Sequence, residues 1–300
     1  MKFTKMHGCG NDYIYINGFE EKISDIRKPS LARLLSNRAC GIGGDGVIFI
    51  NPCMEADFEM EMYNADGSRG EMCGNGIRCV AKYVFEKGMT EKKELVIKSC
   101  DRLVSLVLSV TPDSAGGIGS VRKVRVNMGH PVLEPEKIPV MECESRELAI
   151  REPIQAGGRL FLMTCVSMGN PHAVIFVEEL QDFPVEQLGP LLERHPRFPK
   201  RINVEFVQVL DRSTIRMRVW ERGAGETRAC GTGACAAVVA SVLNHLTDTE
   251  VTVKLLGGEL SILWNRTENA LYMQGPAETV FEGEIDISSF YSAKQGGYYV

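Results

Sequence analysis

Met72-Cys73-Gly74-Asn75-Gly76 and Ala229-Cys230-Gly231-Thr232-Gly233 are two versions of one short phrase, and their surroundings decide the fold. A five-residue echo alone proves little, but the blocks upstream keep step with it. Gly10-Asn11-Asp12 precedes an apolar run at 13–16, and Gly169-Asn170-Pro171-His172 precedes another at 173–177. Asp45 leads into Val47-Ile48-Phe49-Ile50, and Asn203 leads into Val204-Glu205-Phe206-Val207. From Asn11 through Asp45 and Asn64 to Cys73 the gaps are 34, 19 and 9. From Asn170 through Asn203 and Glu221 to Cys230 they are 33, 18 and 9. Three gaps kept within one residue imply a duplicated chain.

Each copy is rich in strands. Residues 57–63 (DFEMEMY) alternate apolar and acidic, the period of a half-buried strand, and 103–110, 121–128, 202–209, 214–220, 251–255 and 260–264 read similarly. A helical pattern follows each CGxG. Ile77, Val80, Ala81, Val84 and Phe85 form one stripe, with Gly88 suited to the C-cap, and Ala236, Val239, Ala240 and Leu243 form another. The expected fold class is α+β: two pseudo-symmetric domains, each a curved, mostly antiparallel sheet around a central helix. The expected division is 1–118 with Cys73, 119–275 with Cys230, and 276–300 returning to the first half plus a tail. Residues 112–120, rich in Pro, Gly and Ser, are the expected linker. The active site is expected in the cleft between the halves.

Bulk properties exclude several classes. The 300 residues are 44% hydrophobic and 24% charged, a globular composition without low-complexity tracts. A net charge of -5 argues against a nucleic-acid partner, which needs a basic face. No apolar run approaches the roughly 18 residues needed to span a bilayer. The first residues lack the apolar stretch of a signal peptide, so the expected location is cytoplasmic, with no membrane partner. Ten cysteines fall short of a disulfide scaffold, and none forms a CxxC pair. Cys73 to Cys79 and Cys230 to Cys235 are poorly spaced for zinc, so no metal is expected.

The two phrases carry chemistry because each stands where a strand gives way to a helix. A helix start offers unpaired N–H groups and a positive dipole end, which favour anions and thiolates. A cysteine there is expected to have its pKa drawn down toward neutrality. Most cysteines are small buried residues, and Cys9, Cys40, Cys53, Cys79, Cys100, Cys143, Cys165 and Cys235 are read that way. Repetition, helix-start context and flanking glycines set Cys73 and Cys230 apart. Two such sites converging on one ligand suit proton transfer at an amino-acid α-carbon. Gly74 and Asn75 with Gly231 and Thr232 would hold the carboxylate, while one thiolate takes the α-proton and the other thiol returns one to the opposite face. That inversion needs no cofactor.

Gly41-Ile42-Gly43-Gly44-Asp45-Gly46 matches GxGxxG, but an apolar strand-like run follows instead of a helix, so a turn is the better reading. His172 lies in the loop block equivalent to that of Asn11 and is favoured for the site on placement. In Trp220-Glu221-Arg222-Gly223-Ala224-Gly225-Glu226-Thr227, Arg222 could clamp a carboxylate and Glu221 an ammonium group, with a solvated ion pair the plain alternative.

The chain resembles the diaminopimelate epimerase family through KMHGCGNDY, GIGGDG, YNADGSRGEMCGNGIRC, GNPHAV, INVEFV, WERGAGETRACGTGACAA and GPAETVFEGEI, which together cover nearly its whole length. The resemblance implies a cofactor-independent homodimer interconverting LL- and meso-diaminopimelate for lysine and peptidoglycan-precursor biosynthesis. It implies Cys73 and Cys230 as the acid/base pair. Asn11, Asn64, Asn170, Asn203, Glu221 and Arg222 would bind substrate, largely at its distal end, and His172 and Glu221 would tune the thiols. Some members carry Gln where this chain has Gly46; Cys9 often is Leu; Phe281 replaces a tyrosine associated with dimer contact; and residues 288–300 extend past the usual end. Two other classes compete: a racemase for another amino acid on the same fold, and a thiol-redox sensor. A non-catalytic binding module ranks last.

Overall fold

A computed structural model describes residues 1–70, 73–113, 117–145 and 147–288. Met72 of the first phrase and residues 289–300 of the tail lie outside the described residues.

The first half runs β1 (Lys2–Gly8), β2 (Asn11–Asn17), α1 (Lys28–Ser36), β3 (Gly46–Asn51), β4 (Phe58–Asn64), α2 (Gly74–Glu86), β5 (Glu94–Ser99), β6 (Arg102–Thr111) and β7 (Ser120–Gly129). The second runs β8 (Glu152–Ala156), β9 (Arg159–Ser167), β10 (Pro171–Phe176), α3 (Val185–Glu193), β11 (Asn203–Asp211), β12 (Thr214–Glu221) and β13 (Gly225–Thr227). It continues with α4 (Gly231–Leu243), β14 (Glu250–Leu255), β15 (Gly258–Asn265) and β16 (Ala270–Gly275), after which comes β17 (Glu278–Glu284).

Strand pairing makes the duplication explicit. β2 and β3 are parallel, as are β10 and β11; β4 and β5 are parallel, as are β12 and β14. The pairs β3–β4, β5–β6 and β6–β7 are antiparallel, as are β11–β12, β14–β15 and β15–β16. β1 and β9 each lie antiparallel to their half's first parallel strand. β17 and β8 then close the series against them. β7 pairs antiparallel with β16, so the two halves form one continuous sheet. The fold is the α+β class expected, with each half's sheet curved around its central helix.

Two expectations need correction. The expected linker 112–120, of which 114–116 lie outside the described residues, does not join the halves. Thr111 pairs with Ser120, so β6 is followed by its antiparallel neighbour β7, and the strands grouped here with the first half run to Gly129, past the expected boundary at 118. Glycines and proline there serve a hairpin loop, which carries the same residue types as a linker. Secondly, the partner of Asn203 in the duplicated plan is Gly46 rather than Asp45. Tyr13 pairs with Gly46 and His172 with Asn203, while Gly46 faces Asn64 across β3–β4. The intervals 46–64 and 203–221 are then both 18, as 64–73 and 221–230 are both 9. A Cβ on Gly46 would fall 2.2 Å from the Tyr63 carbonyl oxygen, so glycine is what lets β3 and β4 close at this point.

The central strands are buried on both faces. In β2, Tyr13 and Tyr15 point into the core that surrounds α2, while Ile14 and Ile16 pack under α1. In β11, Val207 points toward α4, while Val204 and Phe206 pack in the cluster beneath α3. α4 is apolar nearly all round, and every residue of α2 from Gly74 to Phe85 is buried, Asn75, Arg78 and Lys82 included. A helix buried on every side has to be wrapped, and the curved sheet does that. The helices thereby bring both CGxG starts to the middle of the molecule.

Candidate active site

Each cysteine of the pair caps a helix. Cys73 has extended backbone (φ −114°, ψ 108°), and its Sγ accepts the Gly76 N–H at 3.3 Å ahead of α2. Cys230 has nearly the same angles (φ −121°, ψ 114°), and its Sγ accepts the Gly233 N–H at 3.4 Å ahead of α4. Sulfur occupies the place that a serine or aspartate oxygen takes at an ordinary N-cap. The two helix starts touch. Asn75 Nδ2 donates to the Ala229 carbonyl at 3.3 Å, and a Cβ on Gly231 would stand 3.8 Å from Gly74 Cα and 3.0 Å from Met273 Sδ.

Above them lies a cleft of about 1030 Å³ with walls from both halves. Asn11, Asn64, Asn170, Asn203, Glu221 and Arg222 all line it. Cys73, Cys230, His172, Gly74, Asn75, Gly231 and Thr232 do not form its walls and lie behind them. Cys73 connects to the wall by a hydrogen bond from Sγ to Asn11 Oδ1 at 3.4 Å, while Cys230 Sγ stands 3.4 Å from Thr232 Oγ1, which is itself behind the wall.

Several lining side chains are held in place by their neighbours. Asn11 Nδ2 donates to Asp45 Oδ2 at 2.7 Å, leaving its oxygen for Cys73 and for Asn75 Nδ2. Asn203 spends its amide on backbone: Nδ2 donates to the Pro171 carbonyl at 2.8 Å, and Oδ1 accepts the Arg222 N–H at 2.9 Å. It fixes the turn carrying Arg222. Asn64 Nδ2 donates to Ser68 Oγ at 3.0 Å. Thr227 Oγ1 donates to Glu221 Oε1. His172 is fully buried, its Nδ1 2.7 Å from Glu205 Oε1 and its Nε2 3.0 Å from Asn170 Oδ1.

The expected lowering of the thiol pKa values is overturned. Burial pushes the Cys73 thiol up, against pulls down from the Gly76 N–H, the Tyr13 hydroxyl and the Asn75 N–H. Cys230 is pushed well above the ordinary range, first by burial, then by the Glu221 and Glu205 carboxylates. The helix-start N–H groups act as anticipated on both sulfurs, but losing water outweighs them. Glu221 is itself pushed up, first by burial, against its Thr227 hydrogen bond and the nearby His172.

Several functional neighbours went unread in the sequence. Tyr13 reaches Cys73, Asp45 holds Asn11, and Arg38 joins Asp12 at 2.6 Å and Asp45 at 2.9 Å on the cleft wall. Glu205 carried a readable signal: a lone acid inside the apolar run Val204-Glu205-Phe206-Val207, at an inward position of a doubly buried strand. Arg38 and Tyr13 carried none.

A family model described as diaminopimelate epimerase matches residues 3–133 and 164–280. The chain belongs to the diaminopimelate epimerase family. A diaminopimelate epimerase of Acetivibrio thermocellus is 54% identical over 289 residues, covering 96% of this chain and 99% of its own. One from Methanococcus maripaludis strain C6 is 51% identical, covering 96% of this chain and all of its own. Membership in this family makes the chain an isomerase. The fold reaches wider: a hydroxyproline epimerase from Agrobacterium vitis superposes with a TM-score of 0.66 at 16% identity, over 100% of this chain and 94% of its own. A phenazine biosynthesis protein of the PhzF family from Bacillus anthracis does so with a TM-score of 0.66 at 15% identity, over 96% of this chain and 99% of its own.

Proposed function

We propose that this chain interconverts LL- and meso-diaminopimelate without a cofactor, using Cys73 and Cys230 as the two proton-transfer groups. The observation that carries the reading is that both sulfurs cap helices whose starts meet beneath one cleft. The α-carboxylate of the reacting end sits against the N–H groups of Gly74, Asn75, Gly231 and Thr232. One thiolate removes the α-proton, the C–H electron pair moves toward the carboxylate, and the opposite thiol supplies a proton to the other face. Both sulfurs have exchanged protonation state when turnover ends. Asn64, Glu221 and Arg222 on the cleft wall receive the distal amino-acid end, with Asn203 holding the Arg222 turn. His172 and Glu221 set the charge around the second thiol.

The distal groups favour diaminopimelate over a mono-amino acid, which would offer Arg222 and Glu221 no group of opposite charge. We place the reaction in the cytoplasm, where a reducing medium keeps thiols free, as all ten cysteines are. We further propose a homodimer through the edge strand β17, whose Val280 and Phe281 are exposed. Among the described residues no helix is long and apolar enough to cross a membrane.

The test is solvent exchange. LL-diaminopimelate incubated with the fully reduced protein in deuterated water is expected to take up deuterium at one α-carbon and accumulate the meso isomer. Exchange of proline or histidine without exchange of diaminopimelate would overturn the substrate. Activity seen only under oxidant cycling would point to the redox reading.

A further inference from the structure

Arg78 lies one turn into α2 and is completely buried. Nε donates to the Pro276 carbonyl at 3.1 Å; Nη1 donates to the Gly74 carbonyl at 3.1 Å and to Met273 Sδ at 3.6 Å. Nη2 donates to Asn75 Oδ1 at 2.9 Å and to Cys9 Sγ at 3.9 Å. A guanidinium has five N–H donors, and these contacts supply five acceptors. None of them is charged. Burial pushes the Cys9 thiol up, so it too meets Arg78 as a neutral group. The acid that acts on Cys9, Glu278, is mostly exposed and stands 3.7 Å from His7.

A buried charge is ordinarily paired, because leaving water is otherwise too costly. Arg78 has all its hydrogen bonds and no counter-charge among the described residues. Arginine does not shed its proton to escape that cost. The duplicated plan shows that the helix itself does not require it: five residues after Cys73 stands Arg78, and five after Cys230 stands Cys235, also fully buried. Arg78 lowers the Cys235 thiol electrostatically, so its charge reaches α4 as well as α2. It also grips Asn75, the residue that bridges the two helix starts through Ala229.

We propose that Arg78 is a positioning residue that supplies the site's fixed positive charge from behind both helix starts. It orients Asn75 and offers a cation, not ion-paired among the described residues, to the carboxylate of an incoming amino acid and to the charge that builds there as the α-proton leaves. The proposal rests on the two-thiol reading above. With no acid paired to it among the described residues, the charge is met by the resting thiolate and then by an anion in the cradle, which ties part of its cost to binding.

The test compares wild type, R78K and R78M by alkylation of Cys73, followed by mass spectrometry, with iodoacetate and with neutral iodoacetamide. The ratio of the two rates reports the local potential, with no turnover needed, so its failure is distinct from failure of the epimerase assignment. R78M is expected to lower the iodoacetate-to-iodoacetamide ratio about fivefold or more while R78K keeps most of it, as expected of a unit charge in a partly desolvated site. For diaminopimelate, kcat should fall about 100-fold in R78M, more than KM rises, and much less in R78K. Equal alkylation ratios in all three proteins would overturn the proposal. Should R78M not fold, wild type still decides: its ratio at Cys73 must exceed that of free cysteine, and a ratio at or below that value would overturn it.

Discussion

The surroundings of Cys73 and Cys230 share a backbone and differ in chemistry. Register places Tyr13 opposite His172, Ile48 opposite Glu205 and Asn64 opposite Glu221 in the duplicated plan. Ile48 Cδ1 would stand 2.7 Å from a Cβ on Gly76, and Glu205 Oε1 would stand 2.6 Å from one on Gly233. The same pocket behind each helix start holds a methyl group in one half and a carboxylate in the other. Cys73 is opposed mainly by burial, and only weakly by Glu221, and is helped by a tyrosine hydroxyl, whereas for Cys230 burial is followed directly by Glu221 and Glu205. One scaffold therefore carries two thiols of unequal acidity. That inequality decides which thiol is the easier to deprotonate at rest, and Cys73 is the side we assign as resting base.

Removing either sulfur should have the largest effect. C73A and C230A, each alone, are expected to lower epimerisation by about 10³-fold or more with the fold retained. Near wild-type turnover by either variant would end the two-base scheme.

Next comes an attempt to make the halves alike. I48E places a carboxylate behind Cys73 with Tyr13, not histidine, as its neighbour. It is expected to destabilise the protein by about 3–5 kcal/mol, the size of an unpaired buried charge. Denaturant unfolding measures it. A loss below about 1 kcal/mol would mean that Glu205 does not depend on His172.

The inequality of the thiols can be read directly. At pH 8, iodoacetamide should label Cys73 about tenfold faster than Cys230, and E221Q should narrow that gap about threefold, because Glu221 ranks next after burial in raising Cys230 but last among the influences on Cys73. Unchanged labelling in E221Q would assign the difference to burial and Glu205.

The smallest effect is on stability at high pH. Burial raises Cys79 to about 11 and Cys235 to about 12, and it raises Cys73, Cys165 and Cys230 as well. Above an unfolded thiol pKa of about 8.5 the folded chain binds more protons, so stability is complete below that pH and is lost as pH rises through the folded values. Tyr13, Tyr15 and Tyr63 act in the same direction. The melting temperature should fall steadily from pH 8.5 to 10.5 in calorimetry. A flat profile over that range would contradict the raised thiols.

The duplication, both helix starts, the fold class and the six cleft-lining residues among Asn11, Asn64, Asn170, Asn203, Glu221 and Arg222 were legible in the chain. The first three rest on local spacing, since strands alternate, helices repeat every three or four residues, and a copied motif keeps its intervals, whereas the six residues were implied by the family resemblance. What stayed hidden depends on where distant strands end up. Gly46 rather than Asp45 answers to Asn203 because parallel pairing of β2 with β3 sets the register, and no interval count resolves a one-residue slip. The supposed linker turned out to be a hairpin loop because β6 and β7 pair across it. Thiol acidity reversed direction because helix-start N–H groups are local, whereas desolvation depends on everything packed around the sulfur. Arg78 looked like one more helix residue in CGNGIRC. Only packing against β16 and the turns after β1 and β16 made it a buried cation with no counter-charge among the described residues.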